Sequence, residues 1–367
     1  MKENRYLHVN KANFYFFIII TLISFILLQF IEIPELEHNN LQFAFDSQTY
    51  LNRADELLKY STISLITIYE MAISNSFGPV ILGAITSNNY YLIWFFNLGL
   101  YFICSFYLIR VLDLKSSYFH LLIFINVISW ISLVSLNKEI FVFASIASLV
   151  YYMQKKNLYR LLILILASFL VRSEMVLFSL VVVVLFSNFM LFKKKRGLHV
   201  FLFLVLISIA LPIYTAHLRA SIEFWRERTL SVRYIKGSGL YMLWINMDKN
   251  YFYIFSFPFK LIHLTVLNAI QFLIKPNINL NYFHNFAETL QSFSFIILYY
   301  FLYLNKKLKT LSNDYLYIAI VYFIIFVTVQ IYTPRYLYAG YVLLSILLTS
   351  KIEYISDIRK YKPDRIN

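Results

Sequence analysis

A chain of 367 residues in which 60% of side chains are hydrophobic, 19% aromatic and only 14% charged is too apolar for a soluble domain and reads as one integral membrane domain, 1–367. A net charge of +14 would suit nucleic acid in a soluble protein. Here the basic residues cluster between apolar runs, where a membrane surface accounts for them and nucleic acid is excluded as a partner. The single cysteine, Cys104, lies inside an apolar run, which excludes a disulfide framework, a cysteine metal site and thiol redox chemistry.

The first apolar run follows Lys2, Arg5 and Lys11 as a signal sequence would, but it is long and no small-residue cleavage pattern follows, so it reads as a retained helix. Candidate spans are 13–33, 90–111, 118–136, 140–153, 161–171, 175–192, 200–214, 286–304, 315–331 and 336–349. The expected fold is therefore all-α, a polytopic helical bundle of about ten spans with large outer loops, 34–89 and 215–285, and a basic cytoplasmic tail, 350–367. The apolar stretch 251–274 is left out of the count. A span there would put Lys306, Lys307, Lys309 and the basic tail outside, against the positive-inside rule. It carries Pro258, Lys260 and His263 and reads as a non-spanning, amphipathic or re-entrant segment on the outer side. Threaded this way, both termini are cytoplasmic, the inner loops hold all the excess positive charge and the outer side is neutral, as in an inner-membrane protein. The spans 140–153 and 161–171 fall short of the ~20 residues a bilayer core asks for, which draws their polar ends inward.

On the outer side, "SLNKEIF" sets Lys138 and Glu139 in one turn, "LVRSEMV" sets Arg172 and Glu174 in the next, and "YTPRYLY" sets Pro334, Arg335 and Tyr336 in the last. A charged pair in a tight turn can simply snorkel to water. Three turns broken by arginine or lysine favour a site, because an ion at membrane depth costs roughly 2.5 to 3.5 kcal/mol. The first outer loop adds Asp46, Tyr50, Arg53, Asp55 and Glu56; the large one adds His217, Arg219, Arg226, Arg228 and Arg233. Those arginines suit a solvated helix face as well as a substrate surface, and nearby Trp225, Tyr234 and Tyr241 suit a sugar platform or an interfacial belt. His217 and His263 stand alone, without metal-ligand spacing. There is no Gly-rich phosphate loop, no H-E-x-x-H and no G-x-S-x-G, so nucleotide hydrolysis, zinc proteolysis and serine hydrolysis lack their apparatus.

At Asp46 to Tyr50 with Ala54, at Asn137 to Glu139, at Val171 to Glu174 and at Pro334 to Tyr336 the chain resembles the Wzy-type polymerases of O-antigen and capsule repeat units. It also looks like the lipid-linked-sugar glycosyltransferases of the GT-C class, although Asp46 is followed by Ser47 where that class carries an acidic pair. The resemblance implies polymerisation of polyprenyl-diphosphate-linked oligosaccharide repeat units by glycosyl transfer at the periplasmic face of the bacterial inner membrane. It implies no metal and no cofactor, membrane lipid as a partner, and a chain-length regulator as a further one. The leaving diphosphate needs cationic donors, and Lys138, Arg172 and Arg335 suit that role. The attacking hydroxyl needs a base, Asp46 or Glu139, with Glu174 orienting Arg172. Substrate contacts are expected from Lys138, Glu174, Tyr50, Arg219, Arg226, Arg228, Arg233 and Tyr336. The outer loops and the segment 251–274 would roof a cavity open sideways to lipid for the polyprenyl tail. Two alternatives stand beside this: a GT-C enzyme adding a single sugar from a polyprenyl-phosphate donor, and a transporter or flippase of lipid-linked glycan. A flippase should line a path through both leaflets with mid-span cations, whereas these charges gather at outer span ends.

Overall fold

Asparagine starts four of the helices. Asn89, Asn126, Asn157 and Asn313 each turn a side-chain oxygen onto a backbone N–H of the helix that follows, satisfying donors that the first turn leaves open. The computed structural model describes residues 2–31, 47–59, 76–186, 196–217, 238–274, 283–308, 313–328 and 334–351. They form α1 (Lys2–Ile31), α2 (Ser47–Lys59), α3 (Phe77–Ile85), α4 (Tyr90–Leu112), α5 (Ser116–Ile125), α6 (Val127–Val134), α7 (Phe141–Gln154) and α8 (Leu158–Val171). Then follow α9 (Ser173–Leu185), α10 (Arg196–His217), α11 (Ser238–Lys249), α12 (Tyr253–Ile274), α13 (Phe283–Leu304), α14 (Asp314–Phe326) and α15 (Tyr338–Thr349). The described residues contain no β-strand, only a bridging pair between Leu114 and Ser350.

The protein is thus all-helical, and several helices suit a membrane. By length and composition α4, α12 and residues Arg196–Ile213 of α10 can each cross one, and α5 with α6 makes a fourth if the bent pair is a single span. Among the described residues, that is three or four candidate spans beside the ten expected. The helices from Leu158, Ser173 and Asp314 have 14, 13 and 13 residues. Such a helix rises about 20 Å against a hydrocarbon core of about 30 Å.

Two expectations about single segments change. Residues 118–136 are not one straight span: α5 and α6 meet at an 85° bend. Asn126 causes it, its side chain taking the Ile128 N–H at 3.0 Å, so one helix ends where the next begins. Ser129 Oγ and Trp130 Nε1 then donate to the Ile123 and Phe124 carbonyls at the end of α5. Residues 251–274, expected not to span, form a helix of spanning length and composition, with a π-helical turn at His263–Leu267. Its contacts run along α13 and α14. The Tyr253 hydroxyl donates to Ile324 O at 2.6 Å near the close of α14, and the π turn packs on Pro334–Leu337. The Phe272 ring meets Phe293, two residues beyond Gln291, which itself bonds Pro334 O.

Helices α14 and α15 form the buried middle. Gly340 lets them close, since a Cβ there would stand 2.3 Å from the Phe323 ring. The turns around Lys138, Arg172 and Arg335 share one end of this middle. At the other, Lys351 pairs with Asp113 at 3.1 Å and Arg196 pairs with Asp314. Between α12 and helices α13 to α15 lies a cavity of about 440 Å³, with Leu261, Thr265 and Val266 on one side and Tyr299, Leu316, Phe323 and Leu344 on the other.

Candidate functional site

Two of the three turns are held by buried polar groups on neighbouring elements, and the third by close backbone packing. Asn97, enclosed in α4, donates through Nδ2 to Leu133 O at 3.1 Å and Ser135 O at 3.0 Å. It takes carbonyls that the end of α6 leaves open and so fixes the entry to Lys138–Ile140. Gln291 on α13 donates to Pro334 O at 3.1 Å, and the Tyr322 hydroxyl on α14 donates to Tyr336 O. The Arg172 turn is wedged by α3, whose Gly78 approaches so closely that a Cβ would lie 2.2 Å from Leu170 O.

The charged side chains do not snorkel. Lys138, Glu139, Arg172 and Arg335 are 4%, 1%, 6% and 5% exposed, so the turns point their charges inward. They meet on one ring: Arg172 Cζ, Lys138 Nζ and Arg335 Cζ lie 4.0, 5.3 and 5.7 Å from the centroid of Tyr336. Cations over an aromatic face gain ~0.5–2 kcal/mol each, more as water is excluded. Arg172 Nη2 donates to Glu139 Oε1 at 3.4 Å. Glu139 is thus a carboxylate that pairs with Arg172, while Glu174, expected to orient it, accepts from Ser173 Oγ at 3.2 Å.

Around the cations stand acceptors that find no donor among the described residues: Glu139 Oε2, Asn137 Oδ1 and Gln291 Oε1. A buried acceptor left so costs about 1–3 kcal/mol. Three cations together with unmatched acceptors have the chemistry to meet a ligand that is both anionic and rich in hydroxyls.

Of the sequence-predicted residues, Lys138, Glu139, Arg172, Arg335 and Tyr336 come together. Tyr50 does not join the ring: it is buried in α2, which packs on α3 beside the turns. Asp46, Arg219, Arg226, Arg228 and Arg233 lie outside the described residues. Sequence reasoning missed Glu288, a buried carboxylate on α13 that feels the charge of Arg335, and its neighbour Gln291. The signal was available as Glu288, Gln291 and Ser292 at helical i, i+3, i+4 spacing in an apolar run. Among the described residues, no group of three or more His, Cys, Asp or Glu gathers as a metal site would. A second ion pair, Lys260 to Asp248 at 2.7 Å, is fully enclosed and ties α12 to α11.

Compared with models of protein families, with curated proteins and with solved structures, the chain matches none.

Proposed function

We propose that this chain is a membrane-embedded glycosyltransferase that polymerises polyprenyl-diphosphate-linked oligosaccharide repeat units, of O-antigen or capsule type, at the periplasmic face of a bacterial inner membrane. One observation carries the reading: three buried cations from three separate turns converge on Tyr336, beside acceptors that lack donors. Cleaving the sugar-to-phosphate bond leaves negative charge on a diphosphate, and fixed cations in a water-poor site stabilise it without reorganising. Arginine adds a planar fork matched to phosphate oxygens. The apolar cavity beneath α12 suits the polyprenyl tail, because the π turn that roofs it also packs on the Arg335 turn. The ten-span threading with both termini cytoplasmic belongs to this reading. The ion pairs support it, since each joins residues that the threading puts on one side.

The test is deletion in the host, complementation with wild type, Lys138→Ala or Arg335→Ala at matched membrane levels, and sizing of the surface glycan on a gel. The expected result is a single repeat unit in the deletion and a ladder restored by wild type alone. A repeat unit shortened by one sugar would point to the single-sugar transferase.

Transport is a second reading, favoured by the 85° break at Asn126, since transporters build substrate paths from discontinuous helices. It predicts no surface glycan at all in the deletion, with complete lipid-linked units retained on the cytoplasmic leaflet.

A further inference from the structure

Helix α13 turns one polar face into the site. Glu288, Gln291 and Ser292 stand at i, i+3 and i+4, and all three are buried. The Gln291 bond to Pro334 O aims this face at the turn that carries Arg335, whose charge acts on the Glu288 carboxylate. Gln291 Oε1 and Ser292 Oγ have no hydrogen-bond partner among the described residues. A diphosphate cannot relieve an acceptor such as Gln291 Oε1, because its ionised oxygens carry no protons to donate. Sugar hydroxyls can.

Glu139 is committed elsewhere. Its Oε1 holds the Arg172 guanidinium, and a proton arriving there would loosen that arginine while charge builds on the leaving group. A proton on Glu288 has the opposite effect: it removes a negative charge that acts on Arg335, so that the arginine's charge bears more fully on the diphosphate.

We propose that α13 is the acceptor wall of this site, with Gln291 and Ser292 binding hydroxyls of the incoming sugar and Glu288 taking the proton from the hydroxyl that attacks. In the step, the acceptor oxygen bonds to the anomeric carbon of the donor. The bond from that carbon to the diphosphate oxygen breaks, and its electron pair leaves with the diphosphate toward Lys138, Arg172 and Arg335. The hydroxyl proton passes to the Glu288 carboxylate. Glu139 is then a positioning residue for Arg172. The inference rests on the glycosyl-transfer reading.

The experiment uses the full chain in lipid nanodiscs, a polyprenyl-diphosphate-linked oligosaccharide as donor, and a short-chain lipid-linked unit as acceptor, varied separately. Glu288→Gln is expected to lower kcat about 100-fold or more with donor KM and melting temperature near wild type, the scale of a lost general base. Ser292→Ala is expected to raise the acceptor KM and leave the donor KM unchanged. Glu288→Gln turning over within about threefold of wild type overturns the assignment, as does a loss matched by an equal loss of thermal stability. If Glu288→Gln does not accumulate, Glu288→Asp decides: about tenfold slower turnover at unchanged acceptor KM supports the role, and wild-type turnover overturns it. Wild type that forms no glycosidic bond defeats the transfer reading and this inference with it. Wild type that does, beside an active Glu288→Gln, defeats this inference alone.

Discussion

The guanidinium of Arg172, from the turn between α8 and α9, lies 4.0 Å from the ring centre of Tyr336, from the turn that opens α15. Glu139 reaches the same guanidinium from a third turn. A tyrosine with no charge of its own is thus the common surface on which cations from distant parts of the sequence meet. This predicts that Tyr336→Phe keeps the site and Tyr336→Leu loses it. The contact is worth ~0.5–2 kcal/mol per cation, so Leu should cost about tenfold or more in the proposed glycan polymerisation while Phe stays near wild type. Equal losses in both would show that the hydroxyl, rather than the ring, matters.

The Arg172 to Glu139 pair should behave as a buried ion pair does. Glu139→Met alone leaves an uncompensated cation and is expected to destabilise the protein by about 3–5 kcal/mol, whereas Glu139→Met with Arg172→Met should cost markedly less. Chemical unfolding of the four proteins of this cycle in detergent measures the difference. Equal stability of single and double variants would place the pair in water, against the burial of both side chains.

Lys260 and Asp248 make a parallel case at the α11 to α12 hairpin. Lys260→Met or Asp248→Leu alone should open the hairpin to limited proteolysis, and the double variant should close it again, because hydrophobic replacement of both ions removes the desolvation cost. Cleavage that persists in the double variant would mean that the pair itself, rather than apolar packing, holds α12 over the cavity.

Three glycines separate close packing from open surface. At Gly78 an added Cβ meets backbone, Leu170 O at 2.2 Å, which no rotamer change can relieve. At Gly340 it meets the Phe323 ring, and at Gly99 nothing lies within 4 Å. Gly78→Ala and Gly340→Ala are each expected to lower stability by ~1–3 kcal/mol, while Gly99→Ala is neutral or mildly stabilising. Thermal melting of purified protein reads all three.

The proposed sidedness is testable through the one cysteine. With Cys104→Ser as background, Ser87→Cys in the exposed turn after α3 should react with a membrane-impermeant thiol reagent on intact spheroplasts. Lys351→Cys should react only after the membrane is opened. The reverse pattern would invert the threading and move the cation site to the cytoplasm.

Much of the architecture is written locally. Apolar runs predict the helices α4, α7, α8, α13 and α15 to within a few residues, because burying a helical backbone in lipid depends on composition along a short stretch. The three charged turns stand out for the same reason, as ions in a chain that otherwise avoids them. What the sequence does not carry is direction. Hydropathy counts 118–136 as one span, but a single Asn126 side chain bends it by 85°. It shows that 251–274 is apolar, but its packing on α14 through Tyr253 and on α13 through Phe272 is set only in the fold. By sequence Glu174 is the acid expected to hold Arg172, and the folded chain brings Glu139 to within 3.4 Å of it. Glu288 passes unnoticed as one acid in an apolar run, and acquires a role only because α13 packs against a turn more than forty residues further along. Helix and span formation follow from each segment's own exchange with lipid and from its own hydrogen bonds. A site made of side chains from separate turns depends on how the helices cross, and that is decided only when all of them pack at once.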